Sequence, residues 1–515
     1  MGRLFPTSTL SKVRAIGDLG YANPFTGERI RLERLILGDH APLHDLWIMQ
    51  PGQREPSPHL AALTRAGEDC IAAALSRLNT LSSVDDASWK LYGDVAMYVL
   101  YYRVENAFFQ ILSTPDANPV RMPFWPGFLR DWRQLIGPTP LADDPQFSPE
   151  HLFALCFQIR RAFHFTYRAI FGTTQLSAQL RADVWNSIFT HDLRRYRQGL
   201  FRRMQEISTL VLGPSGTGKD LVAQAIGLSR YIPFNAGQQQ FEADYHHCHQ
   251  PVHLAALPAT LLESELFGHR KGAYTGAISD RSGYLETRHA SQTVFLDEIG
   301  ELPPEIQVKL LRVLQNRTFQ RLGDSSPREF HGKIVSATHQ DLGEAMATGR
   351  FREDLYYRLC SDIIQTPSLA MQLQQKPEEL EHLLQTVSLR LMGPEAADAL
   401  TAEASEWIRT HLPAHTWPGN MRELEQCVRS ILIRGAYNPP KRRQAARDSG
   451  PKAELADMIL AGSLTQTELT SRYYALVYAQ TGSYEAAARK LGTDWRTVKA
   501  NLDTDFLSAL KPGSA

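Results

Sequence analysis

A chain of 515 residues is longer than one hydrophobic core organises, so about two to four structural units are expected. Hydrophobic residues at 43% and charged residues at 21% are ordinary for a soluble globular protein, and Lys+Arg equals Asp+Glu at 55 each, so a nucleic-acid surface has to be a local patch. The five cysteines lie far apart and form no CxxC, which argues against a disulfide framework and for a reducing, cytoplasmic setting.

The N-terminal run MGRLFPTSTLSKVRAIGDLG has no apolar core, so no signal peptide is expected, and Pro6 breaks the myristoylation pattern. The most apolar stretch, VAMYVLYY at 95–102, is too short to cross a bilayer, so no membrane partner is expected. Residues 1–171 read as a mostly helical N-terminal domain from about Pro58 onward, with Pro115–Gln146 as loops. The stretch carries no catalytic motif and no receiver-like pattern of paired acidic residues with a later lysine. DLRRYRQGLFRRMQEI (192–207) reads either as a basic helix at the edge of the following domain or as a solvated face.

From about Gly172 short apolar runs alternate with helical patterns. TLVLG (209–213), TVFLD (293–297) and GKIVSAT (332–338) read as strands. PEIQVKLLRVLQ puts Ile306, Leu310, Val313 and Leu314 on one helical face, and Pro303 and Pro304 suit its first turn. Such alternation predicts an α/β fold with a mainly parallel sheet.

Gly213, Pro214, Ser215, Gly216, Thr217, Gly218, Lys219 and Asp220 follow a strand and open a helix, which is the context a phosphate-binding P-loop requires. Glycines let backbone N–H groups turn toward phosphates, the helix N-terminus favours negative charge, and Lys219 supplies a point charge. Asp220 stands where Ser or Thr usually follows the lysine. Asp297 and Glu298 end a strand downstream. One carboxylate there holds Mg²⁺, the other orients or deprotonates water. YHHCHQ (245–250) reads as a loop, since adjacent residues rarely converge on one tetrahedral ion. GHRKGAYTGA (268–277), with three glycines and one aromatic, suits neither a helix nor a buried strand.

YNPPKRRQAARDSGPKA (437–453) has the composition of a linker. Beyond it, SYEAAARKLG and DWRTVKANL meet at Gly492 in helix-turn-helix grammar. Leu491, Val498 and Leu502 would face the core. Arg496, Thr497, Lys499 and Asn501 would meet the major groove, with Arg489 and Lys490 near phosphates.

Taken together, these residues resemble the AAA+ ATPases that activate sigma-54 RNA polymerase, the bacterial enhancer-binding proteins of the NtrC-like type. The resemblance is dense over roughly 172–435, through LLESELFGHRKGAYTGA, FREDLYYRL (351–359) and WPGNMRELEQ (417–426). It implies an AAA+ P-loop domain over 172–436 with a helical lid at about 370–436. A linker over 437–455 and a Fis-like helix-turn-helix domain over 456–515 would follow. It implies a ring-forming homo-oligomer, a hexamer, that hydrolyses Mg-ATP, with the sigma-54 RNA polymerase holoenzyme and double-stranded DNA as partners. Gly272, Ala273, Tyr274, Thr275, Gly276 and Ala277 match the sigma-54 contact loop, with Tyr274 in place of phenylalanine. Arg352 and Arg358 match the arginine fingers, and Arg422 the second sensor. His253 and His339 stand where the family has a switch asparagine and a first-sensor asparagine. The 1–171 segment would be regulatory. A DNA-binding regulator that keeps the AAA+ fold but acts without sigma-54, for example as a repressor, is the competing reading, and a remodeller of another protein is the third. Neither needs the Tyr274 loop.

Overall fold

A computed structural model of the protein describes residues 2–38, 58–114, 121–287, 289–439 and 451–510. Five parallel strands form the central sheet: β1 (Thr209–Leu212), β2 (His249–His253), β3 (Thr293–Asp297), β4 (Lys333–Thr338) and β5 (Asp362–Gln365), in the order β2–β3–β4–β1–β5. Alternate side chains point to opposite faces. Val211, Phe295, Val335, Ala337 and Ile364 join one core, whereas Leu210, Val294, Leu296 and Ile334 join another with Ile306 and Leu310 of helix Pro304–Asn316. The predicted α/β architecture with both sheet faces covered is what the chain adopts.

The first of these cores also contains the head. Phe153 and Phe157 of helix Pro149–Ala169 pack in the same cluster as Val222 and Ile226 of the P-loop helix Lys219–Leu228. Arg161, fully buried, donates from Nη1 to the carbonyl of Leu228 (2.7 Å) and from Nη2 to that of Arg230 (2.7 Å). A guanidinium at the helix C-terminus satisfies end carbonyls and complements the helix dipole. No break in packing falls at 171/172; the chain divides between Tyr437 and Asn438 into two compact units.

The head contains more helix than its sequence pattern predicts. Leu10–Leu19 and Gly27–Leu37 are helical ahead of Pro58. Within the segment expected to be loops, Trp125–Leu135 forms a helix with a proline in its first turn and Trp125, Phe128 and Leu135 buried. Proline tolerates the first turn, and the apolar spacing supplies the packing face, so the loop expectation fails there. Residues 115–120 of that stretch lie outside the described residues. The basic stretch 192–207 is helical at its start and is not a solvated face throughout. It makes a short helix Leu193–Arg197, capped by Asp192, with Tyr196 and Arg197 buried. Arg194 Nε meets Asp94 (2.9 Å) and its Nη2 meets Asp18 (2.7 Å).

Helices Glu379–Met392, Ala397–His411 and Asn420–Arg434 form a lid with its own core around Leu384, Ala404, Trp417 and Leu424. Of the expected linker, 440–450 lies outside the described residues. In the second unit, helices Gln466–Thr481, Tyr484–Leu491 and Trp495–Asn501 enclose a small core of Val477, Ala487, Ala488 and Val498, with Leu491 and Leu502 against it. Gly492 turns the chain at φ 68°, a left-handed conformation that glycine adopts without a side-chain penalty.

No described helix is long and apolar enough to cross a membrane.

Candidate functional site

The C-terminal ends of β1, β3 and β4 converge on the loop Gly213–Lys219, where open α/β sheets place ligands. Gly216 and Gly218 take φ of 79° and 85°, so their peptide N–H groups turn as a phosphate cradle requires. The cradle is closed from two sides. A Cβ at Gly213 would collide with Thr366 Oγ1, and one at Gly216 with the carbonyl of Gly419 in the lid. Thr366 also shares a 2.6 Å hydrogen bond with Thr217 Oγ1. Lys219 is 7% exposed and its Nζ donates to the carbonyls of Gly213 (2.9 Å) and Pro214 (3.2 Å). Burial lowers its ammonium below the ordinary lysine range, opposed by the charges of Glu298 and Asp297. Asp220 sits in the exposed first helical turn.

The two carboxylates at the end of β3 each meet one histidine. His253 pairs with Asp297 across the sheet, and its Nδ1 lies 3.1 Å from Asp297 Oδ2. His339, just past β4, places Nδ1 2.8 Å from Glu298 Oε2. A carboxylate only accepts, so Nδ1–H donates in both pairs. His253 therefore contacts Asp297; the carboxylate that His339 contacts is Glu298. Glu298 itself lies in the left-handed region (φ 57°, ψ 53°), a strained position for a non-glycine residue, costing about 1–3 kcal/mol. Thr338 Oγ1 donates to its carboxylate at 3.3 Å and the His339 N–H at 3.4 Å.

The lid reaches the loop through Asn420, whose Nδ2 donates to the Ser215 carbonyl (2.9 Å) while its Oδ1 accepts from the Leu369 N–H (2.8 Å). Met421 N–H donates to the Gly216 carbonyl (3.1 Å), and Arg422 Nη1 to Ser215 Oγ (3.3 Å). The structure thus brings together Lys219, Asp297, Glu298, His253, His339 and Arg422. Thr366 and the clamp role of Asn420 escape sequence reasoning. Thr366 lies 149 residues from its partner Thr217, in no local pattern.

Arg352 and Arg358 stand apart. Arg352 is bonded to Asp354 (2.7 Å) and exposed. The Arg358 carbonyl accepts from Ser208 Oγ (2.5 Å), directly before β1, whereas the loop begins after β1. Four residues of strand separate those points by ~13 Å. Arg358 is exposed.

In the Tyr274 loop, Gly272 and Gly276 take φ of 81° and 107°, with open space where a Cβ would stand. Ala277 N–H donates to the Tyr274 carbonyl (3.0 Å) and Gly272 N–H to that of Ala277 (2.9 Å). Tyr274 is half-buried, its ring edge-on to His269 at 5.1 Å; Thr275 is exposed. Beneath it His269, 6% exposed, bridges to Arg281 and Leu322. Arg270 pairs with Asp280 and Asp324, and Arg321 with Glu286, so the loop stands on a base of ion pairs. Arg496, Thr497, Lys499 and Asn501 are exposed on helix Trp495–Asn501, as a groove-reading face requires. Among the described residues, no group of three or more His, Cys, Asp or Glu side chains is placed to hold a metal ion.

Residues 191–365 match the family model described as the sigma-54 interaction domain. Over 270 residues the chain is 40% identical to the transcriptional regulatory protein GlrR of Escherichia coli K12, covering 51% of this chain and 56% of that protein. It is 44% identical over 229 residues to the Nif-specific regulatory protein of Azotobacter vinelandii, covering 44% and 40% respectively. To the DNA-binding transcriptional regulator NtrC of Escherichia coli K12 it is 39% identical over 236 residues, covering 45% of each chain. The chain spans about half the length of the curated relatives it matches.

Proposed function

With residues 191–365 belonging to the sigma-54 interaction domain family, the AAA+ ATPase module of sigma-54-dependent regulators, we propose that this protein is an ATP-driven activator of the sigma-54 RNA polymerase holoenzyme. ATP binds with its phosphates on the Gly213–Lys219 loop. Asp297, with Asp220 on the first turn of the P-loop helix, would hold the Mg²⁺ that accompanies ATP, and the ion would neutralise phosphate charge there. Glu298 takes a proton from water as that water attacks the γ-phosphorus and the bond to the bridging oxygen of ADP breaks.

The observation that carries this reading is the separation of Arg358 from the loop it would serve. Lys219 and Arg422 lie at the protomer's own site, but the further charge that Arg358 would bring to the transferring phosphoryl group stands on the surface away from it, so hydrolysis requires a neighbouring subunit to supply it. A hexameric ring of identical subunits supplies it at every junction. Each hydrolysis event moves the Tyr274 loop, which its two glycines free to extend, against sigma-54. The helix-turn-helix unit holds the ring on double-stranded DNA upstream of the promoter, through Arg496, Thr497, Lys499 and Asn501.

Transcription from a sigma-54 promoter with purified components tests the reading. The parent chain activates; Lys219→Ala loses both hydrolysis and activation; Tyr274→Ala keeps hydrolysis and loses activation. Activation that survives in both variants would refute it.

A further inference from the structure

Helix Glu353–Leu359 has seven residues and carries Arg358 in its last turn, with Arg352 just ahead of it. A helix this short is marginal by itself. Leu355 and Leu359, one turn apart, are fully buried in the core that also holds Leu210 and Ile306. Tyr357 and Arg358 are exposed. Apolar packing thus decides which side of the helix faces inward. It leaves open how the two ends are held, where backbone groups lack partners within the helix.

Two buried side chains supply those partners. At the N-terminal end Gln307, fully buried, accepts from the Arg352 N–H at Oε1 (2.9 Å). Its amide is fixed in turn, Nε2 donating to the carbonyls of Leu302 (2.8 Å) and Arg350 (3.0 Å). At the C-terminal end Ser208, 3% exposed, donates from Oγ to the Arg358 carbonyl (2.5 Å). The Ser361 hydroxyl stands 3.4 Å from that carbonyl and from Ser208 Oγ, at the outer limit of a hydrogen bond, and Ser361 is exposed.

Ser208 is a firm anchor. Thr209, the next residue, opens β1 inside the sheet and pairs with Val335 of β4 and Asp362 of β5. Its Oγ1 also donates to Asp362 Oδ2 (3.0 Å). The serine hydroxyl therefore ties the last turn of the helix to backbone that is paired on both sides. Ser208 lies at the opposite end of β1 from its own Gly213–Lys219 loop, ~13 Å away.

We propose that Ser208 is a positioning residue for ATP hydrolysis and that it acts on the neighbouring subunit's site, not its own. Its hydroxyl holds the backbone of Arg358, and that backbone sets where the guanidinium reaches across the junction. A displacement of about 1 Å at a reacting group costs up to about a hundredfold in rate. The inference rests on the reading that Arg358 serves the adjacent site.

Steady-state hydrolysis across ATP concentrations tests it, with assembly verified by light scattering. Ser208→Ala should lower kcat about tenfold or more and leave KM for ATP within about twofold. Ser208→Cys, nearly isosteric and a weaker donor, should fall between, and carries the test if Ser208→Ala does not fold. Mixing gives the sharper readout. Lys219→Ala is expected to be inert but keeps its arginine. Added in equal amount to Ser208→Ala, it should raise the rate to roughly a quarter of the parental value. A defect confined to the variant's own site or stability would instead make that mixture slower than Ser208→Ala alone. Parental kcat in Ser208→Ala, or a mixture that slows, overturns the inference. Lys219→Ala mixed with Arg358→Ala separates the causes. Recovery there but not with Ser208→Ala rejects this inference alone; recovery in neither rejects the reading of Arg358 as well.

Discussion

The two ends of the sheet are built on opposite principles. At the C-terminal ends, the carboxylates of Asp297 and Glu298 are half-exposed, and each is matched by an imidazole that is itself exposed. At the N-terminal ends, where Asp362 opens β5, the buried charges are positive. Lys333 opens β4, fully buried, with Nζ on the Ile207 carbonyl (2.6 Å), and burial pushes it down to about 7. Burial likewise pushes Arg161 and Arg317 down to about 10. Arg161 ends on backbone carbonyls, as does Arg317 Nη2 on Gly332. One end keeps its charges in reach of water, where a substrate comes and goes. The other buries cations against backbone carbonyls, where each alters stability instead of turnover.

Substitutions at the two ends should therefore fail in different ways. Glu298→Gln removes the proton acceptor and lowers ATP hydrolysis by about 10²–10⁴-fold, with little change in melting temperature; steady-state hydrolysis and thermal melts read the two quantities separately. Loss of melting stability with retained hydrolysis would erase the distinction.

The seam responds to pH instead. His151, His164 and His249 are all pushed to about 4 by burial. Between about 6.5 and 4 the unfolded chain binds more protons than the folded one, so stability falls by several kcal/mol as pH drops through that window. Lys333 has the same sign in a higher window. Its folded value of about 7 lies below the unfolded ~10.4, so stability rises by about 2 kcal/mol from pH 7 to 9. Denaturant titrations at both pH values should show that rise in the parent and a flat profile in Lys333→Met.

A smaller effect sharpens the catalytic side. If His339 serves by donating one hydrogen bond to Glu298, an asparagine that donates the same bond should keep hydrolysis within about threefold. Leucine, which donates none, should cost about tenfold. Equal rates for His339→Asn and His339→Leu would remove the histidine from the catalytic account.

What the sequence made legible follows the same division. The phosphate loop and Asp297-Glu298 could be read directly because their chemistry demands contiguous residues after a strand. Val498, Leu491 and Leu502 could be assigned to the tail's core because helical spacing carries that information. Contacts between distant segments left no such trace. Thr366 closes the loop from a strand end far along the chain, and the charge of the 192–207 stretch leaves a helix at the domain edge and a solvated face undivided, although Tyr196 and Arg197 are buried. Helix Trp125–Leu135 was masked by its proline-rich flanks. The shared core of head and sheet, through Phe153, Phe157 and Val222, has no signature in either segment alone.

Mixing two inactive chains probes the central claim, that each active site is completed by its neighbour. On the proposed roles, Lys219→Ala would lack the phosphate lysine and Arg358→Ala the finger, so neither should hydrolyse ATP alone. Combined in equal amounts, they should recover roughly a quarter of the parental rate, the fraction of junctions pairing an intact loop with an intact arginine. A mixture as inert as its components, with assembly verified by light scattering, would contradict the account.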